Sequence, residues 1–162
     1  MNDTNESLNS IQYLFFILDD EKFALKTNDI KEIVDLGKIT KVPNSNDCIK
    51  GVTNIRGELI PVVDPKIRLG KDESCVQKRT SLIIVNILNP LDQKKIPISI
   101  MVDIVIEVEE VNEIDILPSP VFGTVIEEKY IKNIIRYKDE YISLLNINML
   151  LDIDELSNNN KD

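Results

Sequence analysis

The side chains that could do chemistry in this sequence are mainly carboxylates, because the chain of 162 residues contains no histidine. The absence of imidazole excludes nucleophiles activated by histidine and zinc sites that include histidine. Asp64 and Asp103 each follow an apolar run, a position where acid–base pairs can lie. Since no third group or pocket accompanies them, we interpret both as turn or helix-cap carboxylates.

A second group of carboxylates has enough oxygen ligands for a hard cation. It comprises Glu107, Glu109, Glu110, Glu113 and Asp115. The group lacks the aspartate spacing and the turn glycine of a calcium loop. Its first glutamates alternate with apolar residues, which is typical of the solvated face of a strand. The five glycines form no phosphate-binding loop, so the sequence predicts no metal and no cofactor.

The two cysteines, Cys48 and Cys75, are too few for a disulfide scaffold. With no histidine to lower the pKa of the Cys48 thiol, we interpret this residue as a small, half-buried apolar side chain. An enzyme built on this sequence would have to use carboxylates, lysine or a metal.

The net charge of −9, from 19 basic and 28 acidic residues, opposes phosphate backbones and anionic lipid headgroups. Nucleic acid and direct membrane contact are therefore not expected. No apolar stretch approaches the roughly 18 residues of a membrane span, and the start of the chain does not resemble a signal peptide. A cytoplasmic location is the expectation.

The elements that must position these side chains are predicted to be strands, because 39 residues are isoleucine or valine, which favour pleated sheets. A hairpin is predicted at 11–18 and 22–25, and the spacing of Ile30, Ile33 and Val34 predicts one or two helical turns. Further strands are predicted at 39–42, 49–55, 58–64, 81–88, 96–101, 104–111, 131–137 and 140–145.

An internal repeat organises the chain. Residues 23–43 align without gaps on 98–118 at an offset of 75, and residues 49–69 align on 131–151 at an offset of 82. The apolar positions agree in phase, although chance alignment of an isoleucine-rich chain is the alternative. Two similar β subdomains with interleaved termini are predicted, joined near residues 70–79.

Both ends of the chain are polar. Residues 1–10 and 155–162 are therefore predicted to be disordered tails. They flank a single domain at 11–154 that contains both subdomains.

A short turn between two predicted strands presents Arg56. Gly57 suits a tight turn, and we expect Gly51, Asn54 and Gly57 to support it. At the repeat offset Arg56 meets Lys138, so the planar guanidinium is not duplicated in the second half. A guanidinium in one half alone indicates a directional contact rather than a scaffold role.

A loop at residues 118–123 places Phe122 between prolines and a glycine. A loop phenylalanine commonly fills the core of its own protein. Because the chain has four phenylalanines and no tryptophan, an exposed Phe122 would suit an interface anchor.

The segment 49–64 resembles the signature of the CheW family of bacterial chemotaxis coupling proteins, and reads IKGVTNIRGELIPVVD. The resemblance extends from about Tyr13 to about Leu151. Further matches are Phe23-Ala24-Leu25, Ile30-Lys31-Glu32-Ile33, Met101-Val102-Asp103, Pro118 with Phe122, and Leu144-Leu145-Asn146-Ile147.

This resemblance implies a mostly β fold of two SH3-like five-stranded β-barrel subdomains that share a core, with short helices. It implies no catalysis. Members of the family link the cytoplasmic tip of a chemoreceptor, a methyl-accepting chemotaxis protein, to the regulatory domain of the histidine kinase CheA. Coupling protein and kinase domain alternate in rings that assemble receptors into arrays, and the free protein is expected to be a monomer.

The resemblance also implies roles for individual residues. Ile30 and Val108 match positions that line the receptor groove between the barrels. Glu32 and Arg56 match a charged pair on the kinase-facing side that transmits control, and Phe122 matches an aromatic residue in the second ring contact. An apolar groove of this kind accepts the apolar stripe of a helix.

Three positions depart from the family pattern. Ile104, Asn133 and Ile135 stand where the family usually has glycine. The local backbone of the second barrel is therefore expected to differ there, and with it the way in which the groove accepts a receptor.

Together these features predict a non-enzymatic chemotaxis adaptor that couples receptor tips to CheA and helps to assemble arrays. The alternative is a CheW-like coupling module of a non-flagellar receptor–kinase pathway. A carboxylate- or metal-dependent enzyme is a distant alternative.

Overall fold

The computed structural model describes residues 9–119 and 126–157 of the chain. Within these ranges most residues belong to strands, and the helices are all five residues or shorter. The predicted mostly β fold with short helices is confirmed. No helix in the described ranges is long and apolar enough to cross a membrane.

The first repeat forms two hairpins with one strand between them. Its elements are β1 (Ser10–Leu18), β2 (Glu21–Lys26), a 3-10 helix (Thr27–Asp29), β3 (Ile30–Asp35), β4 (Ile49–Ile55), β5 (Glu58–Val63) and α1 (Pro65–Arg68). Two-residue turns close both hairpins, and their central residues have the positive φ that tight hairpin turns require.

The second repeat follows the linker and has the same order with additions. Its elements are β6 (Ser81–Leu88), β7 (Lys95–Val102), β8 (Ile104–Asn112), a 3-10 helix (Glu113–Asp115), β9 (Ile116–Pro118), a 3-10 helix (Glu128–Tyr130), β10 (Ile131–Tyr137), β11 (Glu140–Leu145), α2 (Ile147–Leu150) and α3 (Ile153–Ser157).

The elements coincide with the sequence repeat. β4 and β10, β5 and β11, and α1 and α2 have equal lengths and begin 82 residues apart. The turns agree as well, since Arg56 and Lys138 have φ values of 50° and 46°. Asp64 and Asn146 cap α1 and α2 at equivalent positions. Agreement at this level argues against a chance alignment.

The strands form two sheets, and each sheet combines both repeats. One has six strands in the order β8-β1-β2-β11-β10-β9, and the other has five in the order β3-β6-β7-β5-β4. The β6–β7 hairpin of the second repeat is inserted between β3 and β5 of the first, and the β1–β2 hairpin of the first is inserted between β8 and β11 of the second. The parallel pairs β2–β11 and β5–β7 also join the two repeats.

In each sheet, the segment that follows the third strand of one repeat pairs with a later strand of that repeat and bridges the open side of the sheet. In the five-stranded sheet the coil after β3 reaches β4 at Thr40, whose backbone exchanges two hydrogen bonds of 2.8 Å with Val52. In the other sheet the equivalent segment has become β9, which pairs with β10. That sheet therefore has one strand more than the predicted five.

One apolar core lies between the sheets and receives side chains from both. The six-stranded sheet contributes Leu14, Phe16 and Phe23, and the five-stranded sheet contributes Ile83 and Ile100, among others. Each fully buried side chain of this size contributes about 1.5–3 kcal/mol. The helices cover the edge of this core, where Leu150, Leu151 and Leu156 are buried.

The segment predicted as helical turns at Ile30, Ile33 and Val34 is strand β3. A bulge between Ile30 and Glu32 shifts the register against β6, so that Ile30 lies opposite Val85 and Ile33 opposite Ile83. Two residues three positions apart therefore share one face of the strand, which imitates helical spacing. The predicted strand at 39–42 is also wrong apart from the bridge at Thr40.

The strands and helices extend a few residues beyond the predicted domain limits. Ser10 already belongs to β1. At the other end residues 155–157 belong to α3, because Leu156 is buried in the core and Glu155 forms an ion pair with Arg68.

Gly51 was expected to support the turn at Arg56, but it lies inside β4 and serves another contact. Its φ is +148°, a value that other residues rarely adopt. A Cβ atom there would collide with the backbone carbonyl of Thr40. Gly51 therefore permits the close approach of the coil after β3, which closes this side of the sheet.

We expect Gly51→Ala to lower the free energy of unfolding by about 2–5 kcal/mol, since it adds a backbone collision to an unfavourable φ. Gly57→Ala is the matched control, because Gly57 also has a positive φ but has no atoms within 4 Å of an added Cβ. It should cost only about 1–2 kcal/mol. Urea denaturation measures both values, and equal losses would contradict the proposed role of the Thr40 contact.

Candidate functional site

The turn between β4 and β5 holds Arg56 out in solvent. Arg56 and Gly57 are its two central residues, with φ values of 50° and 84°. Asn54 fixes the turn, because its Oδ1 accepts a hydrogen bond of 2.9 Å from the backbone N–H of Gly57. The Arg56 side chain is 70% exposed. Asn54 and Gly57 are thus joined by a hydrogen bond within the turn that presents Arg56.

Arg56 forms an ion pair with Glu32, which lies on β3. β3 and β4 are the opposite edges of the five-stranded sheet, so the pair bridges the open side of that sheet. The hydrogen bond from Arg56 lowers the pKa of the Glu32 carboxyl, and the same bond raises the pKa of the guanidinium. The structure thus brings together the two charged residues that the resemblance singled out.

The edge strands β3 and β8 carry apolar side chains on the face that is turned to the shared core. Ile30 and Val105 are partly buried against that core. Ile33 and Val108 lie opposite the core residues Ile83 and Leu14 on the neighbouring strands, yet they remain 42% and 49% exposed. These four edge residues, Ile30, Ile33, Val105 and Val108, are called the apolar edges below.

Sequence reasoning identified only half of the apolar edges. Ile30 and Val108 were predicted from the family resemblance, whereas Ile33 and Val105 were missed. The repeat contained the signal, because the offset of 75 places Ile33 on Val108 and Ile30 on Val105. The alignment made this equivalence visible, but the helical interpretation of β3 gave no reason to expect Ile33 and Val108 on matching strand edges.

Two glutamates of the acidic group, Glu107 and Glu109 on β8, form a hydrogen-bonded group with Tyr137, whereas Asp115 pairs with Arg136. The Tyr137 hydroxyl donates a hydrogen bond of 2.5 Å to Glu109, which lowers the pKa of Glu109 and raises that of Tyr137. A hydrogen bond with Glu109 raises the pKa of Glu107, and the charge of Lys138 acts against this shift. Among residues 9–119 and 126–157 no three side chains converge as a metal site.

Glu107 and Lys138 are the repeat equivalents of Glu32 and Arg56. Within the described residues they form no direct ion pair of the kind seen in the first half. A hydrogen-bonded glutamate pair with a tyrosine takes its place. The two ends of the molecule therefore present different polar groups in equivalent positions.

The two carboxylates considered for acid–base chemistry are occupied in structural contacts. Asp64 is fully buried, caps α1 and accepts hydrogen bonds of 2.8 Å from the backbone and the hydroxyl of Ser74. Asp103 forms an ion pair of 2.7 Å with the buried Lys66 and accepts a hydrogen bond from the backbone of Asp19. These contacts give both carboxylates structural roles. The expectation that no pocket accompanies them is wrong for Asp103, which lines a cavity of about 550 Å³ together with Lys66.

Cys48 and the three positions that lack the glycine of the family pattern have ordinary structural surroundings. Cys48 is buried, and burial raises the pKa of its thiol, which opposes nucleophile chemistry. Ile104, Asn133 and Ile135 lie in strands without positive φ, so these positions need no glycine here. Phe122 lies outside the described residues, and its predicted role stays a prediction.

The comparisons with known proteins point to one family. The profile of the CheW-like domain matches residues 12–155. The chain is 25% identical to "Chemotaxis protein CheW" of Klebsiella aerogenes over 90% of this chain and 84% of that protein. It is 28% identical to "Protein FrzA" of Myxococcus xanthus over 86% of this chain and 84% of that one.

A solved structure agrees in fold. The crystal structure of the scaffolding protein TtCheW from Thermoanaerobacter tengcongensis matches with a TM-score of 0.79 and 30% sequence identity. The match covers 91% of this chain and 97% of the TtCheW chain. The likeness therefore extends over both sheets and both repeats.

We expect Arg56→Gln to raise the pKa of Glu32 toward its ordinary value, because the hydrogen bond from Arg56 is the main cause of the lowered pKa. A lowered pKa stabilises the folded protein above the ordinary pKa of the carboxyl. The advantage over the variant is thus present at neutral pH and is lost as the pH falls through the pKa of folded Glu32. It is small because the pair is exposed.

Carbon-13 NMR titration of the Glu32 carboxyl measures this shift. Lys138→Gln is the matched control, since it removes the cation from the repeat-equivalent turn and should leave the Glu32 titration unchanged. If Glu32 titrated identically in Arg56→Gln and the unmodified protein, the ion pair would not exist in solution.

Proposed function

The chain belongs to the CheW-like domain family, a family of chemotaxis coupling and scaffold proteins, and on that premise we propose that it couples chemoreceptors to the histidine kinase CheA without catalysing a reaction. The observation that carries the proposal is the pair of apolar edges, which leave Ile33 and Val108 exposed beside the shared core. A second support is the exposed ion pair at the Arg56 turn.

The apolar edges suit a helical partner. Exposed Ile33 and Val108 lie next to Ile30 and Val105, which are anchored in the core. A helix that presents an apolar stripe could cover such side chains and remove them from water. We propose that the cytoplasmic tip of a chemoreceptor, which the family binds, occupies this position, with Ile30 and Val108 among its contacts.

The Glu32–Arg56 pair suits contact with a partner that alters kinase control. The turn fixes the backbone of Arg56, while the guanidinium itself stays largely in solvent. An exposed ion pair is weak, so a partner carboxylate can draw Arg56 away from Glu32 at low cost. We propose that the CheA regulatory domain makes this contact and that Phe122 anchors a second contact with it.

Coupling of this kind requires each partner to distinguish two states of the assembly. The Arg56 turn offers one such difference, because the guanidinium binds either Glu32 or a partner group. We propose that the protein works in the cytoplasm as a monomer that is recruited into receptor arrays at the membrane.

A second candidate function is a coupling module in another receptor–kinase pathway. The observation in its favour is that the relatives of this chain are not all named CheW, since Protein FrzA matches at 28% identity. Reconstitution with the kinases encoded in the same genome separates the two. Selective binding to a kinase other than CheA would favour this second function.

We expect Val108→Asn to weaken co-sedimentation with receptor tips. Covering an apolar side chain of this size contributes about 1.5 kcal/mol, so the affinity should fall about tenfold. Val76→Asn is the matched control, because Val76 is also exposed but lies in the linker between the repeats. Equal affinity of the two variants would remove Val108 from the receptor contact.

We expect Arg56→Glu to reduce activation of CheA by about tenfold in a ternary complex with receptor and kinase, because the new charge repels a carboxylate of the partner. The double variant Glu32→Arg with Arg56→Glu restores an ion pair within this chain but reverses its direction. It should regain thermal stability without regaining kinase activation.

Autophosphorylation of CheA and thermal unfolding are the two measurements for this series. Lys138→Glu, at the equivalent turn of the second repeat, is the control and should retain activation. Full activation by the double variant would mean that only the internal attraction of the pair matters, not a contact with the kinase.

A further inference from the structure

A side-chain hydrogen bond crosses the open side of the six-stranded sheet. β9 pairs with β10 only at residues 133–135, so the last two residues of β10 face the opening. β8 is the opposite edge of this sheet, and in the described part of the chain β1 is its one paired neighbour. The hydroxyl of Tyr137, the last residue of β10, donates a hydrogen bond of 2.5 Å to Oε2 of Glu109 on β8. We call this bond the tyrosine clasp.

The aromatic ring that carries the clasp is itself held by neighbours. The Tyr137 ring lies edge-on to Phe15, with 5.2 Å between the ring centroids and an angle of 79° between the planes. Phe15 is 3% exposed, and Tyr137 is partly buried against the same core cluster. Lys138 Nζ lies 5.2 Å from the Tyr137 centroid. Because these contacts fix the ring, the clasp ties β8 to a packed part of the molecule.

The pairing of β8 with β1 is interrupted close to the clasp. Phe15 lies opposite Glu107 and Phe16 opposite Val105, so Ile106 is the extra residue of a bulge. A bulge disrupts the ladder locally and bends the strand. The clasp is attached three residues beyond this bulge, at Glu109, and holds β8 from the side on which no described strand pairs with it.

The clasp acts directly beside Val108, which belongs to the apolar edges. Successive residues of a strand point to opposite faces, and the register shows this here. Val108 lies opposite Leu14 of the shared core, whereas Glu109 lies opposite Tyr13 of the second core cluster. Val108 is 49% exposed, so its own packing restrains it only in part. A fixed Glu109 side chain on one face therefore fixes the direction of Val108 on the other.

The first repeat has no equivalent of the clasp. At the offsets of 75 and 82, Val34 and Ile55 stand at the positions of Glu109 and Tyr137. The open side of the five-stranded sheet is bridged instead by the exposed ion pair of the Arg56 turn. The two apolar edges are thus held by different bonds, and the edge at Val108 is the one that depends on a tyrosine hydroxyl.

We propose that Tyr137 is a positioning residue for the receptor contact, because its hydroxyl holds Glu109 and thereby presents Val108 to the apolar stripe of a receptor helix. This inference rests on the proposed function, in which Val108 contacts the receptor tip. Tyr137 acts through β8 and does not touch the receptor. A strand edge that is ordered before binding loses less conformational entropy when a helix covers it.

The first test measures the clasp in the free protein. Tyr137→Phe removes the hydroxyl and keeps the ring beside Phe15. We expect hydrogen exchange of the β8 amides near residue 108 to become at least about threefold faster. The pKa of the Glu109 carboxyl should rise toward its ordinary value in a carbon-13 titration, because the hydrogen bond from Tyr137 is the main cause of its lowered pKa.

Tyr141→Phe is the matched control for this test. Tyr141 is largely exposed, and its hydroxyl has no hydrogen-bond partner in residues 9–119 and 126–157. The control should change neither the exchange of the β8 amides nor the titration of Glu109.

The second test measures co-sedimentation with receptor tips. Tyr137→Phe should weaken binding about threefold to tenfold, and Tyr141→Phe should leave it unchanged. Glu109→Gln keeps an oxygen acceptor for the hydroxyl and should retain most of the affinity, whereas Glu109→Ala should lose as much as Tyr137→Phe. The double variant Tyr137→Phe with Glu109→Ala should lose no more than either single variant, because both changes remove the same bond.

Three outcomes would overturn the proposal. Weaker binding by Tyr137→Phe without faster exchange would mean that Tyr137 contacts the receptor directly, and additive losses in the double variant would mean that the two side chains act separately. Full affinity of Tyr137→Phe, where Val108→Asn is weakened, would also overturn it. Should Tyr137→Phe fail to fold, the comparison of Glu109→Ala with Glu109→Gln tests the same bond.

Failure of the proposed function gives a different result. Full affinity of Val108→Asn for receptor tips would refute the receptor contact itself. Hydrogen exchange in Tyr137→Phe would still decide whether the clasp orders β8.

Discussion

Strand exchange between the two repeats is the constraint on which the rest of the structure depends. The β6–β7 hairpin of the second repeat lies between β3 and β5 of the first, and the β1–β2 hairpin of the first repeat lies between β8 and β11 of the second. Neither repeat can therefore bury its apolar face alone, and side chains from both sheets meet in one core. Because β3 and β8 pair with an exchanged hairpin on one side only and form sheet edges, their core-facing residues meet no further strand, which leaves Ile33 and Val108 partly exposed.

The same exchange places the charged groups of the candidate site at the surface, away from the core. Glu32 lies on the edge strand β3, which pairs with the exchanged hairpin, and Arg56 lies on the turn at the far edge of the same sheet. The ion pair therefore spans an opening and does not fill a buried site. Its solvent exposure makes it weak and easily rearranged. The carboxylates that are buried, Asp64 above all, are fixed by caps and hydrogen bonds. A molecule arranged in this way is suited to binding and to changes of partner.

Much of the architecture could be predicted from local sequence patterns. The strands at 49–55, 81–88 and 131–137 were predicted with the correct first and last residues. Alternating or continuous β-branched residues indicate directly which side chains of a strand are buried. β3 was missed because its bulge places Ile30 and Ile33 on one face at helical spacing. Gly51 was assigned to the wrong role, because it accommodates the backbone of Thr40 in the coil after β3. The pattern of strands in the sequence does not show this contact.

Residue types and their local order are enough to establish which chemistry is excluded, that the protein is mostly β, that it contains a repeat, and that its 49–64 segment resembles the CheW family. These properties depend on residue type and short-range periodicity. The tertiary structure decided which strands are exchanged, that Ile33 joins Val108 as an exposed edge residue, and that Glu32 meets Arg56. Contacts between residues far apart in sequence depend on register and sheet curvature, which local side-chain patterns do not record.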